Sequence, residues 1–158
     1  MNALDKLFSW IYRQSEGWML MEPNLFRKIK DPYPESPGEI VIKVSNLMDK
    51  KKYYKDPDIT IEKLCTFIHV NRSYLSRAIH KVYGINFCEW VNLYRIEEAK
   101  VLMRKEKGNT LDLEDLAVQC GFNSVRSFTR VFSAKENMTP RQFFKSERWK
   151  RTRQKICG

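Results

Sequence analysis

From Glu39 onward the apolar residues of this chain return every three or four positions, the spacing that puts them on one face of a helix. Ile40, Val44, Leu47 and Met48 mark a first helix over Glu39 to Lys52, stopped by Tyr54-Lys55-Asp56-Pro57-Asp58. Thr60 is placed to cap a helix through Leu64 and Phe67, and a turn at His69-Val70-Asn71 leads to a helix from Arg72 to Tyr83, closed by Gly84. Asn86 caps the longest pattern, Phe87 to about Lys105, with Phe87, Trp90, Val91, Tyr94, Val101 and Leu102 on its apolar face. Gly108-Asn109 is expected to end it in the left-handed conformation. Asp112 then caps a helix through Leu116 and Ala117, Gly121-Phe122-Asn123 turns, and Ser124 to Ala134 is helical again. Ahead of all this, Lys30 to Gly38 holds three prolines and a glycine, which exclude regular helix or central strand there. Leu4, Leu7, Phe8, Trp10, Ile11, Trp18 and Leu20 suggest a short amphipathic helix and an extended piece before that break.

The two helix-turn-helix patterns are related to each other. Thr60 falls on Asp112, Leu64 on Leu116, Val70 on Phe122 and Asn71 on Asn123. After one extra residue in the second unit, Leu75 falls on Phe128, Arg77 on Arg130 and Ile79 on Phe132. The register continues with Gly84 on Asn137, Ile85 on Met138, Asn86 on Thr139 and Trp90 on Phe143. Any small helical bundle repeats helix, turn and helix at some spacing, which accounts for the apolar matches. It does not account for Ser76-Arg77 and Thr129-Arg130, a polar-basic pair one turn into each second helix, away from the core positions.

Charge sharpens this picture. The 158 residues carry 29 Lys and Arg against 19 Asp and Glu, a net charge of +10. Such an excess favours polyanions, because each neutralised phosphate releases counterions, although anionic lipid or solubility alone would also accommodate it. With 42% hydrophobic and 13% aromatic residues the chain can bury a core. No apolar run reaches the roughly 20 residues that span a bilayer, and the N-terminus lacks the order of a signal peptide, so a cytoplasmic protein without a membrane partner is expected. Cys65, Cys88, Cys120 and Cys157 have no paired spacing and His69 and His80 complete no ligand set, so no metal is expected. Nor is there a nucleophile–base pair, a phosphate-cradling glycine loop or a carboxylate cluster; no catalytic residue and no cofactor is expected.

From about Ile40 to Lys145 the chain resembles the DNA-binding domain of AraC/XylS-type transcription regulators. The resemblance is carried by Tyr74-Leu75-Ser76-Arg77, Gly84-Ile85-Asn86-Phe87, Tyr94 to Leu102, Cys120-Gly121-Phe122-Asn123-Ser124, Phe128-Thr129-Arg130-Val131-Phe132 and Met138-Thr139-Pro140-Arg141-Gln142-Phe143. One departure is Asn137, where the family usually has glycine; asparagine is the next best residue for a left-handed turn. The resemblance implies an all-α fold of about seven helices, two helix-turn-helix subdomains joined by the Phe87–Lys105 helix. It implies double-stranded DNA and RNA polymerase as partners, with activation the more usual outcome. Three parts are expected: residues 1–37 as N-terminal segment and linker, 38–146 as the DNA-binding domain, and 147–158 as a disordered basic tail in weak contact with DNA.

The expected mechanism is geometric. A central rod of about 18 residues is roughly 27 Å long and can set two recognition helices one duplex turn, about 34 Å, apart. In the first, Arg72, Ser73, Ser76, Arg77 and His80 share the face away from Leu75 and Ile79; by family position Ser73, Ser76 and Arg77 face the groove. Arg77 is the first choice for base reading, since guanidinium bonds guanine O6 and N7 together. In the second, Val125 suits a thymine methyl, while Arg126, Thr129 and Arg130 take the polar positions; each arginine could equally hold phosphate. Asn71, Asn123 and Ser124 sit at helix starts, as phosphate holders, N-caps or both. Residues 1–37 are too short for an independent sensor, leaving a stand-alone regulator, a homodimer through that segment, or the DNA-binding fragment of a larger sensor-regulator. A pure interaction module and an RNA binder are the rivals; the first predicts no salt-dependent DNA binding, and core-spaced aromatics disfavour the second.

Overall fold

The computed structural model describes residues 35–156, with side chains as far as Arg153. The helix and extended piece expected near the N-terminus, and the dimer surface expected there, lie outside the described residues. Within them the regular structure is entirely helical: α1 Pro37–Lys51, a 3-10 turn Tyr53–Lys55, α2 Ile61–Ile68, α3 Arg72–Tyr83, α4 Phe87–Lys105, α5 Leu113–Gln119, α6 Val125–Glu136 and α7 Pro140–Ile156. The chain divides into two compact units, the first reaching Tyr53 and then taking Thr60–Trp90, the second taking Tyr54–Ile59 and everything from Val91.

In the first unit α1, α2 and α3 are in mutual contact. The proline-rich break ends sooner than expected: Pro37 and Gly38 are already in α1. Ser36 caps it in a reciprocal box with Glu39, and proline at the first helical positions costs no hydrogen bond. The buried stripe of α1 is Ile40, Val41, Val44 and Met48, and Leu47 is only half-buried. Leu64, Val70, Leu75, Ala78 and Ile79 are buried in the same unit. Thr60 and Asn71 accept the first free backbone N–H groups of α2 and α3, from Lys63 at 3.3 Å and Tyr74 at 2.8 Å.

α4 begins with a second box, the Asn86 side chain accepting from the Glu89 N–H and the Glu89 carboxylate from the Asn86 N–H. Its burial runs around the helix, not along the one stripe the sequence suggested. Trp90, Val91, Leu93, Tyr94, Ile96, Ala99 and Met103 are buried, whereas Phe87, Val101 and Leu102 are partly exposed. Its first turn belongs to one unit and the remainder to the other, so each part buries its own side.

The second unit is built on aromatic rings. Phe122, Phe128, Phe132 and Phe143 form a chain of neighbours with ring centroids 5.3, 5.7 and 5.6 Å apart, the last two meeting edge to face. Leu116, Ala117, Cys120 and Phe144, with Ile96, Ala99 and Met103 of α4, complete this core. Asp112 caps α5, Ser124 caps α6, and Thr139 with Gln142 boxes the start of α7. α6 runs two residues past the expected Ala134, to Glu136, and Asn137 ends it at φ 55°.

Two expectations fail in this unit, for one physical reason. Gly108 and Asn109 do not form a left-handed stop: the left-handed residues among those described are Lys52, His69, Gly84, Gly121 and Asn137. The basic tail is not disordered either, for residues 147–156 continue α7. Arg151 donates to the Arg104 and Glu106 carbonyls at 3.0 and 2.9 Å, and Arg148 donates to the Asn109 backbone and side-chain oxygens. The last carbonyls of α4 therefore end on a guanidinium instead of a glycine turn, and those same bonds hold the tail as a helix.

Candidate nucleic-acid interface

α3 turns one side to its core and the other to water. Tyr74, Leu75, Ala78, Ile79 and Tyr83 are buried, and Arg72, Ser73, Ser76, Arg77 and His80 are all exposed. α6 repeats the arrangement with Phe128 and Phe132 fully buried and Arg126 and Arg130 exposed. Arg77 and Arg130, matched by the internal repeat, thus occupy equivalent exposed positions, each two residues beyond a core residue of zero exposure, Leu75 or Phe128.

The remaining expected residues divide. Asn123 and Ser124 are exposed, and Ser124, not Asn123, caps α6 by accepting from the Ser127 N–H at 3.2 Å. The residue inserted in the second unit therefore falls at the cap, and Ser124 is the functional counterpart of Asn71. Thr129 is partly buried. So is Val125, whose side chain packs on the aromatic core, which leaves it less surface for a thymine methyl than the sequence suggested. Arg72 is exposed but paired with Glu62 of α2 at 2.9 Å. The Arg77 guanidinium lies 6.0 Å from the Tyr74 ring centroid, one helical turn back.

The second unit also holds charged residues that sequence reasoning missed. Arg95 of α4 donates to the Tyr54 and Asp56 carbonyls at 2.8 and 2.9 Å and stands 5.4 Å over the Phe122 ring. It pins residues 54–56 beside the turn that leads into α6. Its position four residues from both Val91 and Ala99, on a buried side of the helix, was the available signal. Lys100 joins Glu97 at 2.7 Å and Glu136, the last residue of α6, at 3.0 Å. Burial pulls the Lys100 ammonium down, but the two carboxylates outweigh it and hold its pKa above the ordinary value. Among the described residues no group could hold a metal ion, and no helix is long and apolar enough to cross a membrane.

A family model described as a helix-turn-helix domain matches residues 64–146, just over half of the chain. The chain belongs to the AraC-type helix-turn-helix family. This AraC-type DNA-binding domain is 29% identical over 101 residues to an uncharacterized HTH-type transcriptional regulator of Staphylococcus aureus, a match covering 64% of this chain and 13% of that protein. It thus spans a small part of the curated relatives' length. Among solved structures, the C-terminal domain of AraT, a response regulator from Geobacillus stearothermophilus, superposes with TM-score 0.60 at 25% identity, covering 72% of this chain and 88% of that one. The C-terminal domain of the response regulator yesN from Fusobacterium nucleatum gives 0.58 at 26%, covering 67% and 98%. The AraC-type fold therefore rests on matches in sequence and in structure alike.

Proposed function

We infer that this chain regulates transcription by inserting α3 and α6 into successive major grooves of one duplex, with Arg77 and Arg130 as the principal base readers. The observation that carries this reading is the repeat in three dimensions: each second helix buries its apolar pair and leaves the matched arginine in water. Ser73, Ser76, His80, Arg126 and Thr129 complete the reading faces, and Arg72, Asn123 and Ser124 serve the backbone, where cations and helix starts hold phosphate. Val125 adds a small apolar contact at the rim. Residues 38–146 are the DNA-binding part. The protein acts in the cytoplasm as an activator working with RNA polymerase.

Selection of bound duplexes from a random pool supplies a cognate site. On it, Arg77→Ala and Arg130→Ala should each cost about 1–3 kcal/mol and blur discrimination at two separate groups of bases. A wild type that binds cognate and scrambled DNA equally at physiological salt refutes the reading. Transcription from a template carrying the site, with purified RNA polymerase, tests activation, and sedimentation of the full chain against one starting at Gly38 tests pairing through residues 1–37.

A further inference from the structure

The basic run that closes the chain has two faces with different occupations. On one, Arg148 and Arg151 are spent on the Asn109, Arg104 and Glu106 oxygens, and Arg148 also lies 5.9 Å over the Phe144 ring. Glu147, the one acid in the α7 sequence, is turned the same way, 14% exposed and bonded to Arg104 at 2.9 Å. The opposite face carries Lys145, Trp149 and Arg153, all exposed, and Lys150 beside them. Lys150 reaches Glu147 at 2.8 Å yet keeps 68% of its side chain in water, and Trp149 is 67% exposed. A stripe of cations around a bare indole, with the helix's acid held on the other side, fits a polyanion with apolar edges.

We propose that this outer face of α7 is a second DNA contact, one that grips the phosphate backbone flanking the bases read by α6. It rests on the DNA-reading function above and extends its footprint. Duplex DNA is the occupant favoured because this face gathers three exposed cations and no acid, and α7 starts against α6 in the same unit, Phe143 meeting Phe132 edge to face. The Trp149 ring lies on deoxyribose with its N–H toward a phosphate, the amphipathic use to which indole is suited. Lys145, Lys150 and Arg153 neutralise phosphates and carry no sequence information.

The test compares the full-length wild type with a Lys145→Gln/Lys150→Gln/Arg153→Gln variant on a selected site and on random-sequence duplex. Three lost phosphate contacts lower the slope of log affinity against log salt by about 2–3, so the fall in affinity from about 50 to about 200 mM salt shrinks by about 40-fold. The ratio of cognate to random binding stays unchanged. Trp149→Ala weakens both duplexes alike. An Arg148→Gln/Arg151→Gln variant provides the contrast: its thermal midpoint drops, while well below that midpoint its salt slope matches wild type. A triple variant that is folded by circular dichroism but keeps the wild-type slope overturns this proposal alone. A wild type without salt-dependent duplex binding overturns the DNA reading and this proposal together.

Discussion

Replacing Gly121 by alanine and Gly84 by alanine separates two costs that usually occur together. Both glycines are left-handed, at φ +83° and +70°. A Cβ added at Gly84 meets nothing within 4 Å, whereas one at Gly121 would stand 2.5 Å from the Tyr54 carbonyl oxygen and 2.8 Å from that of Lys55. The left-handed backbone alone costs an L-residue about 1–2 kcal/mol, partly offset by the smaller freedom of alanine in the unfolded chain. Gly84→Ala should therefore cost about 1 kcal/mol. Gly121→Ala carries the same cost and must also push the 54–55 peptide away, an overpacking of about 1–3 kcal/mol. That displacement strains the Arg95 bond to the Tyr54 carbonyl as well, so about 3–4 kcal/mol is expected in total. Urea unfolding followed by circular dichroism reads the difference as a midpoint about 1 M lower for Gly121→Ala, given a denaturant slope of about 2 kcal/mol/M. Midpoints that coincide would show that the close approach stores no energy. The repeat makes the same case from within the chain: His69, aligned with Gly121, is left-handed at φ 56° without being glycine, and Asn137, aligned with Gly84, does likewise. Dihedral angle alone does not demand glycine at 121; the Tyr54 carbonyl does.

Phe128→Ala removes a fully buried ring from the middle of the aromatic chain and should cost about 3–5 kcal/mol by thermal or urea unfolding; a loss below about 1 kcal/mol would mean that the core repacks freely. Lys100→Met leaves Glu97 and Glu136 facing each other across the end of α6, and a double-mutant cycle with Glu136→Gln should give a coupling of about 1 kcal/mol in urea, against zero for an idle surface pair. Burial first, then the Glu98 carboxylate, pushes the Cys120 thiol up from 9.0 to about 12, against the pull of Lys55 and Arg95. Below pH 9 that stabilisation is fully present; as pH rises toward 12 the unfolded chain has released a proton the folded one still holds, so stability falls. Cys120→Ala should flatten this alkaline limb of the stability profile, and an unchanged limb would show that the thiol is wet.

The elements that the sequence announced are those whose signals are local. Thr60, Asn86 and Asp112 cap where caps were expected, α3 and α4 have their expected ends, and Asn137 makes the turn that replaces glycine. The exposed faces of α3 and α6 were equally legible, because each of these helices buries one apolar stripe and the matched arginine lies off it. What escaped was chemistry joining residues far apart in sequence. Nothing near Arg151 says that its guanidinium closes α4, 45 to 47 residues earlier. Nothing near Val125 says how much of its side chain the core takes. The tail was misjudged because a dense run of like charge repels itself when nothing neutralises it, and its acceptors lie at and just beyond the end of another helix.

α3 and α6, alike in pattern, are secured by different means, and this bears on how each can respond to a ligand or a partner. α3 buries Leu75 and Ile79 together with Tyr74, whose hydroxyl donates to the Glu35 carbonyl at 2.6 Å, and Tyr83, which stacks on Trp90, with Arg72 tied outward to Glu62. α6 rests on edge-to-face rings, ends on the Lys100–Glu136 pair, and is entered through a turn whose glycine is pressed on a carbonyl that Arg95 also holds. Packed rings serve both helices, but the ion pair at the end of α6 and the crowded turn at its start add resistance to small shifts at both its ends. α6 is accordingly the stiffer of the two helices. Native-state hydrogen exchange should then find the amides of α6 opening less often than those of α3, and the reverse order would show that the polar anchors of the second unit add no rigidity.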